Sequence, residues 1–213
     1  GGDTWEAAVS AGLTGVDVQT LLQDSRDGTL YAGTEIGIYR SKDGGDTWQT
    51  ASSGLATPVT TVEDYPWGLV GTWEVAGDIA ELEGVDVSTL LQDNRDGTLY
   101  AGTWYSIYRS RDGGDTWESA SAGLTDTHVL SLLRDSRDGV LYAGTSNGIY
   151  RSRDGGDTWE AASTGLRARD VQALLQDSWD GTLYAGTESG VFRFWNGGDT
   201  WEAARAGLTE TLI

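Results

Sequence analysis

Apolar and polar residues alternate over short stretches of four to eight residues, and each stretch ends in a run of Gly, Asp or Ser. Alternation at period two is the mark of a half-buried strand. In the first clear segment it predicts strands over 16–23, 29–34, 38–41 and 47–51. All four are rich in Val, Ile, Leu, Tyr, Trp and Thr, as strands prefer. Between them lie Asp24-Ser-Arg-Asp-Gly28, Glu35-Ile-Gly37, Asp43-Gly-Gly-Asp46 and Ser52-Ser-Gly54. These are turn sequences: Gly supplies positive φ, and Asp bonds its own backbone. No stretch carries a sustained helical period with caps.

The same pattern then repeats. Gly-Gly-Asp-Thr-Trp occurs at 1–5, 44–48, 113–117, 155–159 and 197–201, and Leu-Tyr-Ala-Gly-Thr at 30–34, 99–103, 141–145 and 183–187. Four full units span 16–48, 85–117, 127–159 and 169–201, and the first two differ at six of 33 positions. Such similarity implies recent duplication or deliberate design. Residues 49–84 read as a degenerate fifth unit, with a unit-like start at Val59-Thr-Thr-Val62 and a unit-like end at Gly71-Thr-Trp-Glu74. Four strands per unit of about 42 residues is the period of a propeller blade. The expected fold is therefore all-β: a single propeller domain over 1–213, of four-stranded antiparallel blades, five in number with one reduced over 49–84.

Composition narrows the chemistry. Lys and Arg total 14 against 33 Asp and Glu, a net charge of −19, so nucleic acid and anionic membranes are poor partners. Ten Trp and nine Tyr supply core material, so the acidity does not imply disorder. The absence of Cys removes disulfides and thiol chemistry, and the single His128 removes any site needing two imidazoles. No apolar run approaches the roughly 20 residues of a membrane span. No signal-type leader or initiator Met is visible, which reads as a processed, trimmed or designed chain. No cofactor or metal motif is found; Asp24-Ser-Arg-Asp27-Gly28 fits a calcium loop poorly.

Ser41-Lys-Asp-Gly-Gly-Asp-Thr-Trp48 matches the pattern Ser-x-Asp-x-Gly-x-Thr-Trp, which recurs at Ser110–Trp117 and Ser152–Trp159. A fourth copy ending at Trp201 lacks the Ser and first Asp, and 1–5 is a truncated copy. On these motifs the chain resembles the Asp-box (BNR) propeller family, which includes sialidases, sortilin-type receptors, xyloglucan-degrading enzymes and a photosystem II assembly factor. The resemblance implies that the box is a structural hairpin between the third and fourth strands, away from the active face. Ser41, Asp43, Gly45, Thr47 and Trp48 take that role, with Ser110, Asp112, Trp117, Ser152, Asp154 and Trp159 in the other copies. It also implies an extracellular or periplasmic setting.

In such a fold the 2–3 and 4–1 loops share one face, and the 1–2 and 3–4 loops share the other. The second face is nearly constant between copies, whereas the first varies. At the 2–3 loop the copies carry Glu35-Ile36, Trp104-Tyr105, Ser146-Asn147 and Glu188-Ser189; the 4–1 loops add His128, Arg167 and Arg169. Loops displayed on a rigid scaffold are where binding usually resides, so this is the expected ligand face. Trp104 and Tyr105 are the leading anchors, able to stack on a sugar or seat a protein partner. Two aromatics break the constant face of the last unit, Trp179 and Trp195, and read as an interface or cap, packed on each other or on another subunit. Six candidate fourth strands face five candidate first strands, so one terminal strand is surplus and could pair with another chain.

No enzyme motif is found. The only prolines are Pro58 and Pro66, so the Phe/Tyr-Arg-Ile-Pro element of sialidases is absent. Arg40, Arg109, Arg151 and Arg193 recur once per unit, which suggests structural ion pairs. No pair of carboxylates stands out from the repeat. The expectation is a non-enzymatic binding or assembly scaffold for a protein partner or glycan. The alternatives are a lectin-like carbohydrate binder and, less favoured, a glycoside hydrolase of sialidase type.

Overall fold

The computed structural model describes residues 11–55, 85–125, 128–195 and 200–204. Among the described residues, sixteen strands form four sheets, each a meander in chain order. The first holds β1 (Val18–Gln23), β2 (Leu30–Thr34), β3 (Gly37–Ser41) and β4 (Gln49–Thr50). The second holds β5 (Val87–Gln92), β6 (Leu99–Thr103), β7 (Ile107–Ser110) and β8 (Glu118–Ser119). The third holds β9 (Val129–Arg134), β10 (Leu141–Thr145), β11 (Gly148–Ser152) and β12 (Glu160–Ala161). The fourth holds β13 (Val171–Gln176), β14 (Leu183–Thr187), β15 (Gly190–Phe194) and β16 (Glu202–Ala203). Every pairing is antiparallel. This is a β-propeller built of the expected blades.

Turn chemistry sets the blade. In the 1–2 turn, Gly28 N donates to Asp24 O, Arg26 N to Asp24 Oδ1, and Thr29 N to Asp27 Oδ1, all at 2.8–2.9 Å. Gly28 takes φ +80°, open to glycine and strained for other residues. In the Asp box, Ser41 Oγ donates to Asp43 Oδ1 at 2.7 Å and accepts from Gly45 N at 2.9 Å. Asp43 also takes Thr47 N (2.9 Å) and Thr47 Oγ1 (2.5 Å). The boxes of Asp112 and Asp154 repeat these contacts. Because Thr47 and Trp48 are held by the box, the fourth strand is shorter than the expected 47–51 and covers only Gln49–Thr50.

The core lies in the seams between blades. Ala101, Val87 and Leu99 pack with Tyr31, Ile38 and Leu55 across the first seam; matching clusters fill the second and third. The Gly of the first three Leu-Tyr-Ala-Gly-Thr strands permits this approach. A Cβ at Gly33, Gly102 or Gly144 would stand 2.6–2.8 Å from Val87, Val129 or Val171 of the next blade. Three box tryptophans then bond backwards: the indole N–H of Trp117, Trp159 and Trp201 donates to Ala51 O, Ala120 O and Ala162 O at 2.8 Å. Tyr31 and Tyr100 reach forwards, donating their hydroxyls to Gly113 O and Gly155 O at 2.8 and 3.0 Å. Burial pushes both phenols up to about 12. The recurring arginines form ion pairs as expected: Arg40 with Asp115, Arg109 with Glu118 and Asp157, Arg151 with Glu160.

The first and second blades are immediate neighbours, joined by the same Trp, Tyr and Arg contacts as the second and third. Residues 49–55 belong to the first blade, where Ala51 and Leu55 are buried. The expected reduced blade otherwise falls on residues outside those described. The fourth sheet is completed by its own strand β16. The rival N-terminal strand near Trp5 lies outside the described residues; Ala11, just after it, accepts Trp48 N at 2.8 Å and bridges Thr47.

Two outcomes follow from this packing. Trp159→Ala should lower unfolding free energy by about 3–5 kcal/mol, since it empties a seam and orphans Ala120 O; urea titration followed by circular dichroism checks this. The Asp112 carboxyl is held down to about 2, chiefly by the Thr116 hydroxyl, against an ordinary 3.8. A depressed carboxyl stabilises the fold above its unfolded value, and that stability fades as pH falls from about 4 through 2. The Tm gap between the native protein and Asp112→Ala should be full at pH 6 and shrink across that window, as read by thermal melts.

Candidate functional site

Antiparallel meanders bring all four 2–3 loops to one side, next to the 4–1 connections. Glu35 N bonds Asp17 O at 3.3 Å, and Ser146 N bonds His128 O at 3.0 Å. The turn itself is built by the strand-end Thr. Thr34, Thr145 and Thr187 donate Oγ1 to the carbonyls of Gly37, Gly148 and Gly190, glycines at φ +110° to +132°. The second blade departs from this. Ser106 replaces the glycine, accepts the Thr103 hydroxyl at 3.0 Å, and lies 2.5 Å from Ser121 Oγ.

At the tip of this turn, exposed as it is in every blade, stand two aromatics. Trp104 is 50% exposed and Tyr105 61%. His128, from the start of the third blade, stacks on Trp104 with ring centroids 4.1 Å apart and planes 25° apart. Its backbone N donates to Ser146 Oγ at 3.3 Å. Trp104, His128 and Ser146 therefore form a row across the seam between blades two and three, with exposed Tyr105 and Asn147 beside it. Sequence reasoning singled out each of these residues but had no signal for the stack, because the two rings are 24 positions apart on different units. Burial lowers the His128 pKa below 6.5 despite the opposing pull of Asp86 and Asp170. The ring is thus neutral at pH 7 and offers one donor and one acceptor.

The remaining loop residues are spread around the same side. Glu35, Ile36, Glu188, Ser189, Arg167 and Arg169 are exposed on other blades and do not join the Trp104 row. On the opposite side, Trp179 is 96% exposed, so it does not pack on Trp195; Trp195 instead carries the Arg193 guanidinium 4.7 Å above its ring. Among the described residues no group of three or more His, Asp or Glu could hold a metal ion. Every carboxyl with a resolved shift among them is held below its ordinary range by hydroxyl, amide or Arg partners.

Comparison with known proteins agrees with the fold. The BNR/Asp-box repeat model matches residues 150–161. No curated protein matches the chain. Among solved structures, the extracellular domain of BT4673 from B. thetaiotaomicron superposes at TM-score 0.65 and 16% identity, over 87% of this chain and 22% of that one. An ancestral GH74 enzyme gives 0.67 at 15% identity, over 90% and 26%. YCF48 bound to D1 peptide gives 0.61 at 16% identity, over 95% and 58%. This chain spans less than two thirds of the length of each of those chains.

Since His128 is the single histidine, its imidazole can be titrated by proton NMR. Its midpoint should lie below 6.5. In Trp104→Ala it should move upwards, because removing the stacked ring returns water to the imidazole.

Proposed function

We propose that this propeller is a non-enzymatic recognition scaffold that holds an extended segment of a protein partner on its variable-loop side, with Trp104, Tyr105 and His128 as the anchor. The observation that carries this reading is the pair of exposed aromatics, Trp104 and Tyr105, on a turn where the other blades carry no aromatic residue. Isolated large aromatics held open on a rigid frame are typical interface anchors. The net charge of −19 favours a partner segment with basic residues. YCF48, a propeller of similar fold, is bound to a D1 peptide, which supports a peptide-binding role for such a frame.

A glycan is the second reading, favoured by the same open rings, since an aromatic face stacks on the apolar side of a sugar. The non-enzymatic part rests on the carboxyls. Glycoside hydrolysis needs one acid with a raised pKa beside an ionised partner. The depressed carboxyls in the described residues are all engaged in turns and ion pairs.

Screening on peptide and glycan arrays, with Trp104→Ala as control, tests the reading. A hit on basic peptides that weakens roughly 30-fold in the variant, about 2 kcal/mol, supports it. Glycan hits alone select the second reading. Hits equally strong in the variant, or turnover of model glycosides, sink it.

A further inference from the structure

The two ends of the blade array are unfinished in complementary ways. At each internal seam one blade offers the face that contains its Tyr and Gly, and the next offers the face that begins with its first-strand Val. The first face of blade three, with Leu133, Tyr142 and Ile149, packs on the second face of blade four, with Val171, Leu174 and Phe192. Blade four also has a first face: Ala173, Leu175, Tyr184, Gly186 and Val191 line an open apolar depression. Leu175 is 63% exposed there, and Tyr184 and Val191 are only half-buried, whereas Tyr31, Tyr100 and Tyr142 and the matching isoleucines are buried. Among the described residues no side chain of another blade presses on Gly186 as Val87, Val129 and Val171 press on the other three glycines.

Blade one has the converse defect. Leu21 on its second face is 69% exposed, and Val18, whose counterparts Val87, Val129 and Val171 are fully buried, is exposed as well. The polar groups follow suit. Trp48 turns its indole N–H to Gly45 O of its own turn at 3.0 Å, where Trp117 bonds Ala51 O of the preceding blade. Among the described residues Arg193 pairs only with Glu202 of its own blade, at 3.8 Å, whereas Arg109 bonds both Glu118 of its own blade and, through Nη1, Gly155 O of the following turn at 2.9 Å. Trp179 occupies the place from which Arg26 reaches across to Asp96 O and Gly97 O.

We infer that the open face of blade four docks on the open face of blade one of a second copy of this chain, forming a fourth seam like the three inside it. In that seam Leu175, Tyr184 and Val191 cover Leu21 and Val18, Gly186 receives Val18, and Arg193 meets the Asp46 turn as Arg40 meets Asp115. The occupant is chosen by the established seams: both faces already have their partner's sequence within this chain. Trp48 takes its backbone acceptor from Ala11 of its own chain, so the docked copy needs to supply only the sheet face. A head-to-tail contact of this kind closes into a ring when its rotation allows. Two copies joined at both ends give eight sheets, within the usual range of propellers.

The test is light scattering coupled to size exclusion on the intact chain, with Leu21→Glu and Leu175→Glu made separately. The native protein should run at about twice its 22.7 kDa mass, or higher if the array stays open. Each variant alone should be monomeric, because each spoils one half of every seam. Mixed in equal amounts they should recover a dimer, since the intact face of one variant still meets the intact face of the other. Circular dichroism and melting curves like the native protein's show that the variants are folded. A monomeric native protein overturns the proposal, as does a dimer that either folded variant leaves intact, or a mixture that fails to associate.

Discussion

The whole structure depends on one contact: the packing of a first-strand valine on the bare backbone of the neighbouring blade's glycine. A blade of four short strands has two apolar faces and cannot bury either alone. Gly33, Gly102 and Gly144 let the next sheet come so close that a single methyl group would collide with it. Around that point of closest approach are arranged the bonds of Trp117, Trp159, Trp201, Tyr31, Tyr100, Arg40 and Arg109 that run from one blade to its neighbour. Stability is therefore distributed over seams, and each blade is as secure as the two that flank it.

This explains how much was legible in the sequence. The period, the four strands and the role of the Asp box follow from local chemistry, because each turn satisfies itself within eight residues. The ion pairs of Arg40 and Arg109 could be foreseen from regular spacing alone. What could not be read was anything set by neighbouring units. The 69-residue gap between the second and third copies of Gly-Gly-Asp-Thr-Trp gives no sign that blades one and two meet directly in space, and most of the reduced blade expected in it falls outside the described residues. The Trp104–His128 stack joins residues from different units, and no spacing rule links them. Trp179 and Trp195 looked like a pair because both interrupt the same unit; the first projects into solvent and the second takes an arginine from its own sheet.

The two sides of the propeller do different work. The box side is a fixed frame, where Asp43, Asp112 and Asp154 are spent on backbone amides and hydroxyls and Asp115 and Asp157 on arginines. The loop side asks of its residues only that the strand-end Thr close the turn. Two aromatics could therefore enter at 104 and 105 with no strain on the sheet beneath, which is why variation gathers there.

The indole N–H groups of Trp117, Trp159 and Trp201 look backwards along the chain, towards the unit made before. An interior unit can accordingly be deleted or doubled by unequal recombination, and the units on either side will find the same donor and acceptor they had lost. Only the foremost unit would notice, and Trp48 already shows how it copes, by bonding to itself. Lineages carrying this motif should thus differ in copy number by whole repeats, with breakpoints lying anywhere within the period.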